Sequence, residues 1–107
     1  MSEQEKHELI GRVFSESKQT ERDLQMLKAK AIDIGEKMIF IGNQLREYPE
    51  HLGFKGEPYS TIFSGKIVQI NKDVLPDFNT LNNLCKEIRN LTVRLQELEE
   101  QKKRFEI

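Results

Sequence analysis

Apolar or small residues recur along the first half of the chain at steps of three and four without a fault: Ile10, Val13, Ser17, Thr20, Leu24, Leu27, Ala31, Ile34, Met38, Ile41, Leu45 and Tyr48. That rhythm is a heptad seam, with Ile10, Ser17, Leu24, Ala31, Met38 and Leu45 at a and the others at d. It predicts a helix over 2–48, about 70 Å long at 1.5 Å per residue. Ser2 is a suitable N-cap, and Glu3, Glu5 and Glu8 place negative charge where the helix dipole favours it. Pro49 ends the helix, because the residue before a proline is driven out of helical geometry. Ser17 and Thr20 interrupt the seam, which is strong from Leu24 to Leu45.

A second seam runs through Val74, Leu81, Ile88 and Leu95 at a and Leu84, Leu91, Leu98 and Phe105 at d, with Lys102 as its polar exception. It predicts a helix over 73–106, near 50 Å long, with Asp73 as N-cap and Pro76 in the first turn, where its missing N–H does no harm. Lys102, Lys103 and Arg104 sit where the dipole favours positive charge. Phe78, Cys85 and Thr92 form a weaker flank at e. Between the helices, residues 49–72 change character. "PEHLGFKGEPYS" holds two prolines and two glycines and reads as a loop. Thr61, Ile62 and Phe63, then Ile67, Val68 and Ile70, are β-branched or aromatic about a Ser64-Gly65 turn, a candidate short β-hairpin.

The stretch "EKMIFIGNQL" (Glu36–Leu45) breaks the simple amphipathic pattern. Met38 and Ile41 lie on the seam, but Ile39 and Phe40 fall at b and c, on the outer side with Ile32 (b) and Met26 (c). A helix apolar on two sides is buried on two sides. Gly35 and Gly42, seven apart at e, each cost roughly 1 kcal/mol of helix stability against alanine. Either they let another backbone approach or they are merely tolerated. Folding the second helix back on the first sets Leu45 near Phe78 and the end of helix two near Ser17. About 15 residues of helix one, roughly 22 Å, then project. The expected fold is mainly α: a single domain over 1–107, a long antiparallel coiled-coil-like helical hairpin that dimerises into a four-helix bundle. Leu9, Ile10, Val13 and Phe14 on the overhang, with Ile32, Ile39 and Phe40 on the outer stripe, are the expected partner interface. The alternative for the overhang is fraying of the first dozen residues.

Composition agrees with long amphipathic helices: 107 residues, 36% hydrophobic, 33% charged and no tryptophan. A formal net charge of −1 argues against a nucleic-acid-binding surface. Cys85, the single cysteine, cannot form an internal disulfide and fits a reducing compartment. "MSEQEKHELIG" lacks the character of a secretory signal, and no apolar run approaches the roughly 18–20 residues that span a bilayer. These features predict a cytoplasmic protein with no membrane partner. His7 and His51 lack Cys or His neighbours at ligand spacing, so no metal site is expected. "SGK" at Ser64–Lys66 lacks the upstream glycine and following Ser or Thr of a phosphate loop. The carboxylates Glu97, Glu99 and Glu100 read as a solvated face. No catalytic residue and no cofactor are assigned.

The "SGKIVQINKDVL" stretch, Ser64–Leu75, runs from a glycine-led strand into a Lys-Asp helix start between two long helices. In that layout the chain resembles prefoldin β-type subunits, over twelve of 107 residues; the two-proline loop before it departs from the family pattern. The resemblance implies a hexameric holdase chaperone that grips unfolded clients with its helix tips. The leading expectation from the residues themselves is a non-enzymatic, oligomeric interaction protein serving as scaffold, adaptor or small regulator. Its partner would be a second copy or another protein. A nucleic-acid-associated regulator is the third reading.

Overall fold

A computed structural model describes residues 2–54 and 68–105. Helix α1 spans Glu3–Glu47, a single 3₁₀ turn spans Pro49–His51, strands β1 and β2 span Leu52–Phe54 and Val68–Ile70, and helix α2 spans Phe78–Phe105. The two long helices pack against each other. The chain divides into two compact units. One is made of Met1–Ala29 with Asn83–Ile107, the other of Lys30–Asn82.

Helix α1 begins and ends where the local signals place it. Ser2 Oγ accepts from the Glu5 amide at 3.2 Å, and the Ser2 carbonyl accepts from the Lys6 amide at 3.0 Å. This satisfies amides that a helix start leaves without partners. At the other end the Tyr48 amide still donates to Gln44 O at 2.7 Å, but Tyr48 itself, at φ −138° and ψ 58°, has left the helix ahead of Pro49.

Helix α2 starts five residues later than 73, at Phe78. Asn71 explains the delay. Its Oδ1 accepts from the amides of Asp73 (2.9 Å) and Val74 (3.2 Å), and its carbonyl accepts from Val74 and Leu75. This side-chain-anchored turn takes the amides that a helix capped by Asp73 would use. Pro76 then disfavours helical geometry at Leu75. Asp77 is the true cap: its Oδ1 accepts from the Thr80 amide at 2.9 Å and its carbonyl from Leu81 at 3.0 Å. The Lys72-Asp73 pair of the prefoldin-like stretch therefore lies in a turn, not at a helix start.

The segment 49–72 also differs from expectation. Val68–Ile70 is a strand, but it pairs with Leu52–Phe54, a stretch read from sequence as plain loop. The pairing is parallel, with Leu52 opposite Val68 and Phe54 opposite Ile70. Thirteen residues separate the two strands, enough for the crossover that parallel pairing needs. The other arm of the expected hairpin, Thr61–Phe63, lies outside the described residues.

The first unit buries Val13, Ser17, Thr20, Leu24, Leu84 and Leu98; the second buries Ile34, Ile41 and Ile70. Within the first unit, Ser17 bonds Glu99, Phe14 meets Lys102, and Leu9 shares a groove with Phe105. The end of α2 thus lies beside Leu9 rather than Ser17. In the second unit Met38, not Leu45, lies beside Phe78. Both differences amount to a shift of about one heptad. An a/d pattern repeats every seven residues, so two such registers satisfy it equally. The register seen is the one in which the non-local pairs Ser17–Glu99 and Glu16–Arg94 form. The overhang shrinks accordingly, and only residues 2–8 form a fully exposed run.

Candidate protein-binding surface

The seven residues expected to face a partner separate into three groups. Val13 is buried within the chain's own core, and Leu9 and Ile10 are half-buried, because the shifted register lays the end of α2 over this region. Phe14 is exposed on one side, with the Lys102 ammonium 4.9 Å from its ring centre, a cation–π contact. Ile32, Ile39 and Phe40 are exposed, at 62%, 66% and 48%.

Beside Phe14 the two helices are joined by polar contacts. Ser17, wholly buried, donates through Oγ to Glu99 Oε1 at 3.0 Å, and the Lys102 ammonium reaches the same oxygen at 3.2 Å. These bonds, Lys102 first and Ser17 second, hold the Glu99 carboxyl below its usual range. Arg94 donates from Nε and Nη2 to Glu16 Oε1 at 3.0 and 2.7 Å and from Nη1 to Glu97 Oε2 at 3.2 Å. Glu16 foremost, then Glu97, raises the guanidinium pKa. Exposed pairs of this kind contribute little to stability. Their geometric consequence is larger, since Ser17–Glu99 and Glu16–Arg94 are satisfied in one register only. Glu97 and Glu99 are exposed, as read from the sequence, and also join these polar contacts.

The second unit is different. Of twelve large hydrophobic side chains exposed among the described residues, nine lie within Lys30–Asn82. Sequence reasoning missed several of them. Met38 and Leu45 are seam positions, expected to be buried against a second helix beginning at Asp73. Because α2 begins at Phe78, beside Met38, both remain about half exposed. Phe78, the first residue of α2, is 89% exposed. It borders a groove of about 430 Å³ lined by Met38, Leu75, Pro76, Asp77 and Leu81. Pro76 and Leu81 stand at the N′ and N4 positions of α2, the spacing of a hydrophobic staple. Asp77 at the groove edge keeps its carboxyl below the usual range, through the Thr80 backbone N–H first and the Thr80 hydroxyl second. The Asn71 turn and the Asp77 cap fix the entry of α2 and so shape the groove; Asn71, Pro76 and Asp77 were the signals for them in the sequence.

On α1, heptad positions a, e and b lie side by side. From Ala31 to Leu45 they are filled by Ala31, Met38 and Leu45, by Gly35 and Gly42, and by Ile32 and Ile39. That face carries no charge over three turns. Phe40 stands apart from it at c, the position also taken by Asp33 and Glu47. A Cβ built on Gly35 or Gly42 meets nothing within 4 Å, so the packing of the chain on itself does not call for either glycine.

Among the described residues no group of three or more His, Cys, Asp or Glu is placed to hold a metal ion, and no helix is long and apolar enough to cross a membrane. Comparison with protein-family models, curated proteins and solved structures found no match to this chain.

Proposed function

We propose that this protein is a non-enzymatic interaction protein, a scaffold or adaptor, whose working form is a homodimer of helical hairpins. Two hairpins set side by side give a four-helix bundle, and twofold dimers are the commonest closed assemblies. The single cysteine fits a reducing, cytoplasmic setting.

The concentration of exposed apolar side chains in Lys30–Asn82 carries the reading. With about 150–250 Å² per large side chain, the exposed fractions there sum to an area on the order of 1,000 Å². A standard interface buries about 800 Å² on each partner, an area of the same order. Light scattering across a range of concentrations tests the proposal. The wild type is expected at twice the 12.6 kDa chain mass, and Ile32→Glu/Ile39→Glu at the single-chain mass with unchanged far-ultraviolet circular dichroism. A wild type that stays at the single-chain mass throughout would remove the proposal.

A further inference from the structure

We infer that the two copies meet through the a/e/b face of α1, with Phe78 of each copy seated in the other copy's groove beside Met38, Pro76 and Leu81. This rests on the homodimer reading and specifies its surface.

Three observations converge on it. First, Phe78 combines the highest exposure of any large apolar side chain among the described residues with a place on the rim of an unfilled apolar groove. Scattered exposed hydrophobic residues are ordinary; a projecting phenylalanine beside a hollow of about 430 Å³ is a knob next to a hole. The hollow is open on one side and lined almost wholly by apolar side chains, so a ring laid into it would meet apolar surface. Second, a twofold contact requires that residue i meet j while j meets i. Knob and hole must then lie together near the axis, and Phe78 lines the very groove that would receive its twin.

Third, the face beside the groove suits a copy of itself. Ala31, Ile32, Gly35, Met38, Ile39, Gly42 and Leu45 bear no formal charge, so the face meets its own image without like-charge repulsion, which an unrelated charged partner would not exploit. Its glycine floor also acquires a purpose. Gly35 and Gly42 cost helix stability, and nothing in their own chain comes within 4 Å of where a Cβ would stand. That open space leaves room for an approaching helix. Met38 and Leu45 wall the floor on one side, and Ile32 and Ile39 on the other. Such a floor lets two helices come closer than the usual 8–10 Å between axes. The projecting phenyl ring and these walls are large enough to supply a central share of a standard interface.

Sedimentation equilibrium on the full chain gives the test. Phe78→Ser should weaken the dimer roughly thirtyfold or more, the loss typical of a buried aromatic anchor. Gly42→Leu should weaken it comparably while leaving the folded chain as helical as before, since a better helix former replaces glycine in open space. Phe40→Ser, off this face, should leave the dimer constant unchanged. A dimer that is indifferent to Phe78→Ser, or that tightens with Gly42→Leu as added apolar surface would make it do elsewhere, overturns this inference while the homodimer stands. A wild type monomeric at every concentration overturns both.

Discussion

Truncating Leu98 to alanine tests the register seen in the first unit. By pattern Leu98 is one of four equivalent d-position residues in α2, and nothing in the sequence ranks it above Leu84 or Leu91. In the structure its side chain is wholly buried (0% exposed), Leu84 nearly so, and Leu91 only half-buried. Leu98→Ala removes three carbons. At about 0.8 kcal/mol per buried CH₂ the transfer term is about 2.4 kcal/mol. Helix packing that cannot collapse into the vacated space adds a cavity term, bringing the total to about 3–4 kcal/mol, within the span measured for buried leucines. Against a total stability of roughly 5–15 kcal/mol this is a large loss. Urea unfolding followed by circular dichroism at 222 nm measures it, with protein concentration fixed so that association does not shift the baseline. For a slope of about 1–1.5 kcal/mol per molar urea, the midpoint should fall by about 2–4 M with the slope unchanged. Leu91→Ala should cost distinctly less, and Met26→Ala, at an exposed position, within about 0.5 kcal/mol of nothing. Equal losses for Leu98 and Leu91, or a loss below about 1 kcal/mol for Leu98, would refute the register.

Two further outcomes are expected. Gly11→Ala should raise stability by up to about 1 kcal/mol, because Gly11 lies inside α1 with nothing within 4 Å of a new Cβ; a lower urea midpoint would show a contact that the structure does not contain. Asp77 and Glu99 both have folded pKa values below their ordinary ones, so their contribution is complete above about pH 5 and declines as pH falls through the folded values. Asp77→Asn keeps an acceptor for the Thr80 amide but cannot titrate. It should flatten the loss of 222 nm signal between about pH 4 and 2, and an acid transition identical to that of the wild type would count against the Asp77 cap.

The two helices were legible in the sequence because their causes are local. Side chains three and four apart share a face whatever the rest of the chain does, and Ser2, Tyr48 and Pro49 act on their own neighbours. So α1 runs between the expected caps, and the leucines of α2 turn inward. The start of α2 was legible in principle too, but two local signals competed. Asn71 took the amides that Asp73 was expected to leave to a helix, and Pro76 passed the capping role to Asp77.

Everything that depends on pairing distant residues was set by how the chain folds back on itself. A seven-residue repeat cannot tell one register from another seven residues away. The register adopted, of the two open to choice, is the one in which Ser17 meets Glu99 and Glu16 meets Arg94, partners about eighty positions apart. That choice buried Val13, half-covered Leu9 and Ile10, and left Met38, Leu45 and Phe78 uncovered. Likewise, β-branched composition marked Val68–Ile70 as a strand, but no rule of spacing pointed to Leu52–Phe54 as its parallel neighbour. Periodicity states which side of a helix is apolar; how far along its partner that side is covered depends on where the partner begins.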